Sequence, residues 1–363
     1  MIGSFFKNVV VRVPNWIGDA VMCTPALMDL RDNFPCATIT LWARPAIVDL
    51  LRGCPVFDNL LIDDRKEKQE GLAGTFSLIS MINKRHFDLT VLFPNAFDSA
   101  WMTFLARIPH RWGYAADGRK WLLTKAIPVP AHRLTTHHVY YYQGLIQGLG
   151  LQSQQRAPSL PIHPDAERQV NQKFPELSVG NRTWFVGVNP GAVYGSAKRW
   201  LPERFAEVAE TLVNRLQEDL VPSQRVQCVV VGGPGEESLG QRLASSMRSS
   251  PVVLSGKTSV GDLMVILKRC SVFITNDTGP MHMADALGVP TISIFGPTNP
   301  RRTAPFRQQQ GVVHRPVSCA PCRFRHCPID HRCMTGISVD DVLTPALEQV
   351  RRLHGSQKNF TVS

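Results

Sequence analysis

The sequence predicts an α/β protein made of two doubly wound, Rossmann-like domains in series. Three observations carry that expectation. Short apolar or β-branched runs alternate with segments of helical spacing through both halves, as expected of right-handed βαβ units on a parallel sheet. The runs are apolar nearly throughout, which suits strands covered on both faces. A stretch rich in Gln, Pro and Ser over 152–181 interrupts the alternation midway. The length of 363 residues fits two domains.

Taken in order, residues 8–13 form the first core strand. Residues 18–33 follow as a helix, with Val21, Met22, Leu27 and Leu30 at helical spacing. Strands are expected at 38–43, 59–62 and 88–93, and helices at 45–52, 72–85 and 136–149. Pro158, Pro161 and Pro164 stiffen the connection, which has room for one helix at 164–174. The second set runs strand 184–189, helix 202–217 with Pro202 in its first turn, strand 226–231 and helix 236–247. Strand 252–254, helix 259–268, strand 271–275, helix 279–287, strand 290–295 and helix 340–353 complete it. The expected division is an amino-terminal Rossmann-like domain at 1–160, a linker at 161–182 and a carboxyl-terminal Rossmann-like domain at 183–345. The last contains a Cys-rich loop at 317–335, and a helix end and tail follow at 346–363. Two such domains would face each other across a cleft, with ligands at the carboxyl ends of the strands.

Composition narrows the function. With 44% hydrophobic and 19% charged residues, the chain is neither disordered nor fibrous. No apolar run approaches the roughly 18–20 residues that span a bilayer. Lys7 and Arg12 interrupt the apolar amino end and no small-residue cleavage site follows, so this end reads as a strand and the protein as cytoplasmic. The net charge of +11 has two readings: solubility, or attraction to a polyanion such as nucleic acid, an anionic membrane surface or a phosphorylated substrate. Cys23, Cys36, Cys54, Cys228 and Cys270 are scattered and read as small hydrophobes.

Four segments at strand ends could carry chemistry. Asn15-Trp16-Ile17-Gly18-Asp19 follows the first strand. Asp19 is either an acidic complement to a helix dipole or a modest base. Asn189-Pro190-Gly191-Ala192 precedes Lys198-Arg199-Trp200, where Lys198 could neutralise a phosphate or simply be solvated. Gly232-Gly233-Pro234-Gly235-Glu236-Glu237 is a glycine-rich turn, neither a P-loop nor a full dinucleotide fingerprint. One of its carboxylates could hold a ribose. Asn276-Asp277-Thr278-Gly279-Pro280-Met281-His282 ends an apolar strand and opens a helix, a natural anion site. The plain alternatives are a cap for Asp277 and a core histidine for His282.

Together with Pro25-Ala26-Leu27, Pro94-Asn95 and Ala197-Lys198-Arg199-Trp200, these segments resemble the ADP-heptose:lipopolysaccharide heptosyltransferases of glycosyltransferase family 9, the heptosyltransferase II subtype above all. The resemblance spans roughly residues 8–345. It implies a GT-B fold and an inverting transfer of heptose from ADP-heptose to the inner core of lipopolysaccharide, with heptosyl-Kdo2-lipid A or a related acceptor. By the same resemblance Asp19 matches the general base and Lys198 the lysine at the donor pyrophosphate. Asp277, Thr278, Gly279 and His282 match the donor loop, and Glu236 or Glu237 the ribose contact. Asn95 and Arg111 are expected on the acceptor side. Two departures stand out: Val193-Tyr194 replaces a Thr-Thr pair, and Asp98 stands where a Lys is common. An enzyme of this kind would sit peripherally on the cytoplasmic face of the inner membrane.

Cys319, Cys322, Cys327 and Cys333 form C-x2-C-x4-C-x5-C. Structural zinc, free thiols and a disulfide are the three readings. The transfer itself calls for no cofactor, and the sequence shows no need for a divalent ion. Rival functions are a nucleotide-sugar epimerase on the same scaffold and a basic, zinc-containing nucleic-acid-binding protein. The second is disfavoured because only Phe324 supplies an aromatic among the basic residues of the Cys-rich loop.

Overall fold

The computed structural model describes residues 5–65, 71–177, 183–221 and 223–358. The chain divides into two compact units, Met1–Pro161 and Ile162–Ser363. Each holds one six-stranded parallel sheet with helices on its faces, the α/β architecture that the alternating pattern predicts.

In the first unit the strands are β1 (Asn8–Arg12), β2 (Thr38–Ala43), β3 (Asn59–Ile62), β4 (Leu89–Leu92), β5 (His110–Tyr114) and β6 (Lys125–Ile127). Their order is β3-β2-β1-β4-β5-β6. The chain winds outward from β1 in one direction and returns to build from β4 in the other. The topological switch point therefore lies between β1 and β4, where Val10 is in register with Thr90. The helix Ile17–Asn33 leaves β1 and buries Val21, Met22, Leu27 and Leu30. It continues through Pro25, whose missing N–H would leave the Val21 carbonyl unpaired. The Thr24 hydroxyl takes that carbonyl at 2.8 Å.

In the second unit the strands are β7 (Thr183–Asn189), β8 (Arg225–Val230), β9 (Val252–Val253), β10 (Cys270–Asn276), β11 (Thr291–Phe295) and β12 (Val312–His314). Their order is β12-β11-β10-β7-β8-β9, so the switch point lies between β7 and β10, with Thr275 opposite Asn189. A core of Val186, Val188, Phe205, Leu212, Ile274 and Ile294 fixes the sheet against the helices Pro202–Asp219 and Val339–Lys358. The helix Ala166–Lys173 packs within this unit: Lys173 Nζ lies 2.5 Å from Asp262 Oδ2. Residues 178–182 of the expected linker and 359–363 of the expected tail lie outside the described residues. Among the described residues no helix is long and apolar enough to cross a membrane.

Among the described residues, three strands and three helices, Phe97–Leu105, Pro300–Thr303 and Arg332–Thr335, go beyond the sequence reading. The last two helices are only four residues long. In β5, Gly113 occupies mid-strand because its neighbour approaches closely: a Cβ there would lie 3.1 Å from the Leu92 carbonyl. The strands β6 and β12 have only three residues each, too few to show alternation.

A buried ion-pair triad ties the end of β1 to the end of β3. Arg12 Nη2 donates to Asp63 Oδ2 at 2.9 Å and to Asn15 Oδ1 at 3.0 Å, and its guanidinium lies 4.6 Å over the Trp42 ring. Arg65 Nε lies 2.8 Å from the other Asp63 oxygen. Burial pulls Arg12 down to about 10, with the Asp63 charge opposing it. Burial also works to raise Asp63, but the Arg65 hydrogen bond and the Arg12 charge outweigh it and leave that carboxyl below its ordinary value. A depressed carboxyl stabilises the fold fully above the unfolded value, near 4, and loses that contribution as pH falls through the folded value. Asp63→Asn should therefore lower urea stability by about 3 kcal/mol at neutral pH. The gap to the parent should close as the pH is taken down to about 3; a gap independent of pH would contradict this account.

Candidate functional site

The two switch points each gather residues that the sequence singles out. In the first unit the turn after β1 carries Trp16 and then Asp19, in the first turn of the helix Ile17–Asn33. The helix His138–Gly148 lies alongside and supplies two partners. Tyr142 Oη donates to Asp19 Oδ1 at 3.4 Å, and His138 Nδ1 stands 3.4 Å from the same oxygen. The two rings stack with centroids 5.0 Å apart. Burial, with the Asp19 charge next, pushes the Tyr142 hydroxyl well up, so it stays a neutral donor. Asp19 keeps 28% of its side chain exposed, enough for an incoming hydroxyl to reach it.

The turn after β4 carries Asn95. Its Oδ1 accepts from Tyr141 Oη at 2.9 Å, and Tyr141 stacks on Tyr114 at 4.5 Å. The fully buried Arg119 grips both sides of this turn, donating to the Pro94 carbonyl at 2.5 Å and the Ala96 carbonyl at 3.2 Å. Arg111 is elsewhere. It lies near the start of β5, at the amino edge of the sheet, and donates to the carbonyls of Leu122 at 2.6 Å and Ile108 at 2.5 Å. A guanidinium so engaged braces these chain segments.

In the second unit the turns after β7 and β10 are joined by one buried side chain. Asn276 Nδ2 donates to the carbonyls of Pro190 at 3.0 Å and Gly191 at 3.1 Å, and its Oδ1 accepts from the Trp200 N–H at 3.0 Å. Lys198 Nζ then lies 2.5 Å from Asp277 Oδ2 and 3.2 Å from the Asp277 carbonyl, above the Tyr194 ring at 5.1 Å. Thr298 Oγ1 donates to the same Asp277 oxygen at 2.6 Å. Asp277 thus holds the lysine in place. Thr278 Oγ1 is 3.2 Å from Thr275 Oγ1, and Asn189 Nδ2 donates to it at 3.3 Å. Gly279 opens the helix Gly279–Ala286, in which His282 is buried.

The choice between Glu236 and Glu237 turns on burial. Glu236 is 6% exposed, and its Oε2 accepts from the Gly233 N–H at 2.8 Å. Its Oε1 is buried without a hydrogen-bond partner, with the Arg199 guanidinium 3.7 Å away. Gly191 lets this carboxylate approach the turn, because a Cβ there would push it aside. Glu237 caps its own turn from the surface, accepting from the Gly235 N–H at 3.1 Å.

The Cys-rich loop is strapped to the Lys198 turn. The Ala197 N–H donates to the Arg325 carbonyl at 3.0 Å, Tyr194 Oη to the Arg323 carbonyl at 2.6 Å, and His331 Nε2 lies 2.7 Å from the Ala197 carbonyl. Cys319, Cys322, Cys327 and Cys333 line one cavity with His331. All four are free thiols, and burial, aided by the neighbouring thiols, pushes Cys333 up to about 11. Among the described residues no three His, Cys, Asp or Glu side chains are grouped to hold a metal ion.

The sequence reading missed His138, Tyr142 and Arg119, all brought in from helices or turns far along the chain. It named Asn276 only as part of a motif. The signal for Asn276 was its place at the end of an all-apolar strand, where an amide must find buried partners.

Comparison with known proteins agrees with this geometry. The family model of glycosyltransferase family 9 (heptosyltransferase) matches residues 75–332. The chain is similar to lipooligosaccharide heptosyltransferase 2 of Campylobacter jejuni, 28% identical over 354 residues that cover 95% of this chain and 99% of that one. It is also similar to lipopolysaccharide heptosyltransferase 2 of Salmonella typhimurium, 26% identical over 84% of this chain and 87% of that one. In fold it resembles the solved structure of the E. coli ADP-heptose lps heptosyltransferase II, with a TM-score of 0.78, 22% identity and coverage of 96% and 100%. That match identifies the two sheets as the GT-B arrangement expected from the motifs.

Removing the Asn276 amide strands two carbonyls and one N–H in a dry site. Asn276→Ala should cost about 2–4 kcal/mol in urea unfolding. Asn276→Asp, which sets a buried carboxylate against the same two carbonyls, should cost at least as much. An unchanged midpoint for Asn276→Ala would show that the turns hold without the clamp.

Proposed function

The chain belongs to glycosyltransferase family 9 (heptosyltransferase), and on that premise we propose that it moves L-glycero-D-manno-heptose from ADP-heptose to the inner core of lipopolysaccharide, with inversion at the anomeric carbon. The Campylobacter, Salmonella and E. coli relatives support the sugar, and the E. coli protein's description supports the ADP-linked donor. The observation that carries the donor half is the buried Oε1 of Glu236, which has the Arg199 guanidinium 3.7 Å away but no hydrogen bond. A contact that long leaves the oxygen's hydrogen-bonding capacity unused, and a ribose hydroxyl would satisfy it. The diphosphate would then reach the first turn of the helix Gly279–Ala286 and the ammonium of Lys198.

The donor already has a good leaving group. What the protein must supply is charge neutralisation and alignment. One acceptor hydroxyl attacks the anomeric carbon from the face opposite the diphosphate. A carbon–oxygen bond forms as the bond to the β-phosphate oxygen breaks, the electron pair leaves on ADP, and the hydroxyl proton passes to Asp19. A carboxylate at a helix start is a weak base, which is adequate because the attacking hydroxyl turns acidic as its bond forms. Tyr142 and His138 fix the rotamer of that carboxylate by contacting one oxygen. Since lipid A is embedded in a bilayer, the reading includes peripheral association with the cytoplasmic face of the inner membrane.

Incubation with ADP-heptose and heptosyl-Kdo2-lipid A, read by mass spectrometry, tests the reading directly. Gain of one heptose is expected, and no gain on any defined inner-core acceptor would refute it. Asp19→Asn should lower turnover roughly 10²–10⁴-fold while leaving ADP affinity unchanged. Lys198→Ala should weaken ADP binding by roughly tenfold or more in calorimetry; a parent-like affinity would remove the lysine from the phosphate site.

A further inference from the structure

The helix Phe97–Leu105 begins two residues after Asn95 and leaves an apolar stripe in solvent. Phe97 and Phe104 are 40% and 44% exposed, and Leu105 is exposed beside them. Trp121, 68% exposed, lies against both rings, with centroids 6.2 Å from Phe97 and 6.4 Å from Phe104. At helical spacing Phe97, Trp101 and Phe104 fall on one side, and Trp101 meets the exposed Phe76 at 6.4 Å.

The rim of this stripe is mainly basic. Lys120 and Arg107 are exposed, and the Arg111 guanidinium sits 5.4 Å over the Phe104 ring. Asp98 and Asp117 are the acidic groups at its margins. A contiguous exposed aromatic patch marks an interaction surface. Trp and Phe beside Lys and Arg is the combination that suits the boundary between lipid headgroups and acyl chains, where rings insert and cations meet anionic headgroups. A second copy of the chain would bring two basic rims together and suffer their repulsion.

We infer that the Phe97–Phe104–Trp121 face is a docking surface for an anionic lipid bilayer, placed next to the Asn95 turn so that a lipid-anchored acceptor is met at the membrane surface. The inference rests on the transferase reading for its purpose, but the surface itself is argued from exposure and charge alone.

The full-length protein is sedimented with vesicles of phosphatidylcholine, with or without phosphatidylglycerol, in the absence of donor and acceptor. Binding to the phosphatidylglycerol vesicles is expected, weakening as salt is raised. Trp121→Glu and Phe104→Glu should each lower the partition coefficient roughly tenfold or more, and Lys120→Glu roughly fivefold. Val221→Glu, at an exposed apolar position of the second unit, should bind like the parent. Thermal melts and transfer to a detergent-dispersed acceptor should be parent-like for Trp121→Glu, which separates lost docking from lost folding. Three outcomes would overturn the inference: a parent protein that ignores anionic vesicles, variants that bind as tightly as the parent, or a parent dimer that Trp121→Glu dissociates. If vesicle binding behaves as expected while no heptose is transferred, the docking surface stands and the assigned reaction falls.

Discussion

The switch point of the second unit depends on one buried amide. Asn276 ends β10 with no exposed surface, and its side chain reaches the Pro190–Gly191 turn and the Trp200 backbone together. Among the uncharged side chains, only Asn and Gln pair an acceptor oxygen with a two-hydrogen donor at fixed spacing. That pairing lets one residue satisfy two carbonyls and an N–H that no strand ladder reaches. Two consequences follow from the clamp. The turn after β7 is drawn in until Gly191 faces the Glu236 carboxylate. The chain returning toward the helix Pro202–Asp219 is held so that Lys198 comes down on Asp277. The site is therefore a product of sheet topology: the two turns meet because β7 and β10 flank the switch point, and the amide converts proximity into fixed geometry.

Electrostatics explains why the pair beneath that clamp takes the form it does. The Lys198 and Asp277 side chains are 14% and 5% exposed, so either charge left alone would be costly. Paired, they cancel at long range and act as a placed donor rather than a free cation. A lysine on its flexible stem has lost most of its rotamer freedom in folding when Asp277, itself fixed by Thr298, holds it. In the first unit the partners of Asp19 are the neutral phenol of Tyr142 and the imidazole of His138, which leave the carboxylate partly exposed.

Much of this was legible in the sequence, for physical reasons that also mark the limit. Long apolar strands such as β7 and β10 announce themselves because both faces are covered, and the polar turns after them stand out by contrast. Asp19, Lys198, Glu236 and His282 are all found at such turns. What periodicity could not reveal were short elements such as β6 and β12, and contacts made across the chain. His138 and Tyr142 lie on a helix whose pattern reads as ordinary amphipathic packing, more than a hundred residues after Asp19. Arg119 and Arg111 are indistinguishable as basic residues in sequence, yet one is buried beneath the Asn95 turn and the other braces the opposite edge of the sheet. Asp277 shows the same limit in another form: position identified it as a site residue, while its role emerged only from the lysine it holds.

The Cys-rich loop belongs in this picture for a reason other than its thiols. The turn at 194–198 lies outside the sheet and the long helices, and the loop meets its backbone through the Arg325 carbonyl and the His331 imidazole and its Tyr194 hydroxyl through the Arg323 carbonyl. Gly195, at φ +156°, admits the Arg325 carbonyl where any Cβ would collide with it. Farther along the same loop, Met334 and Cys333 fill the space against Gly296 that a larger residue there would need. The loop is thus anchored at one end in the hydrophobic core and at the other on the backbone that carries Lys198. A side-chain cluster that looks like a separate centre in sequence is, in the fold, part of the support for the Lys198 turn.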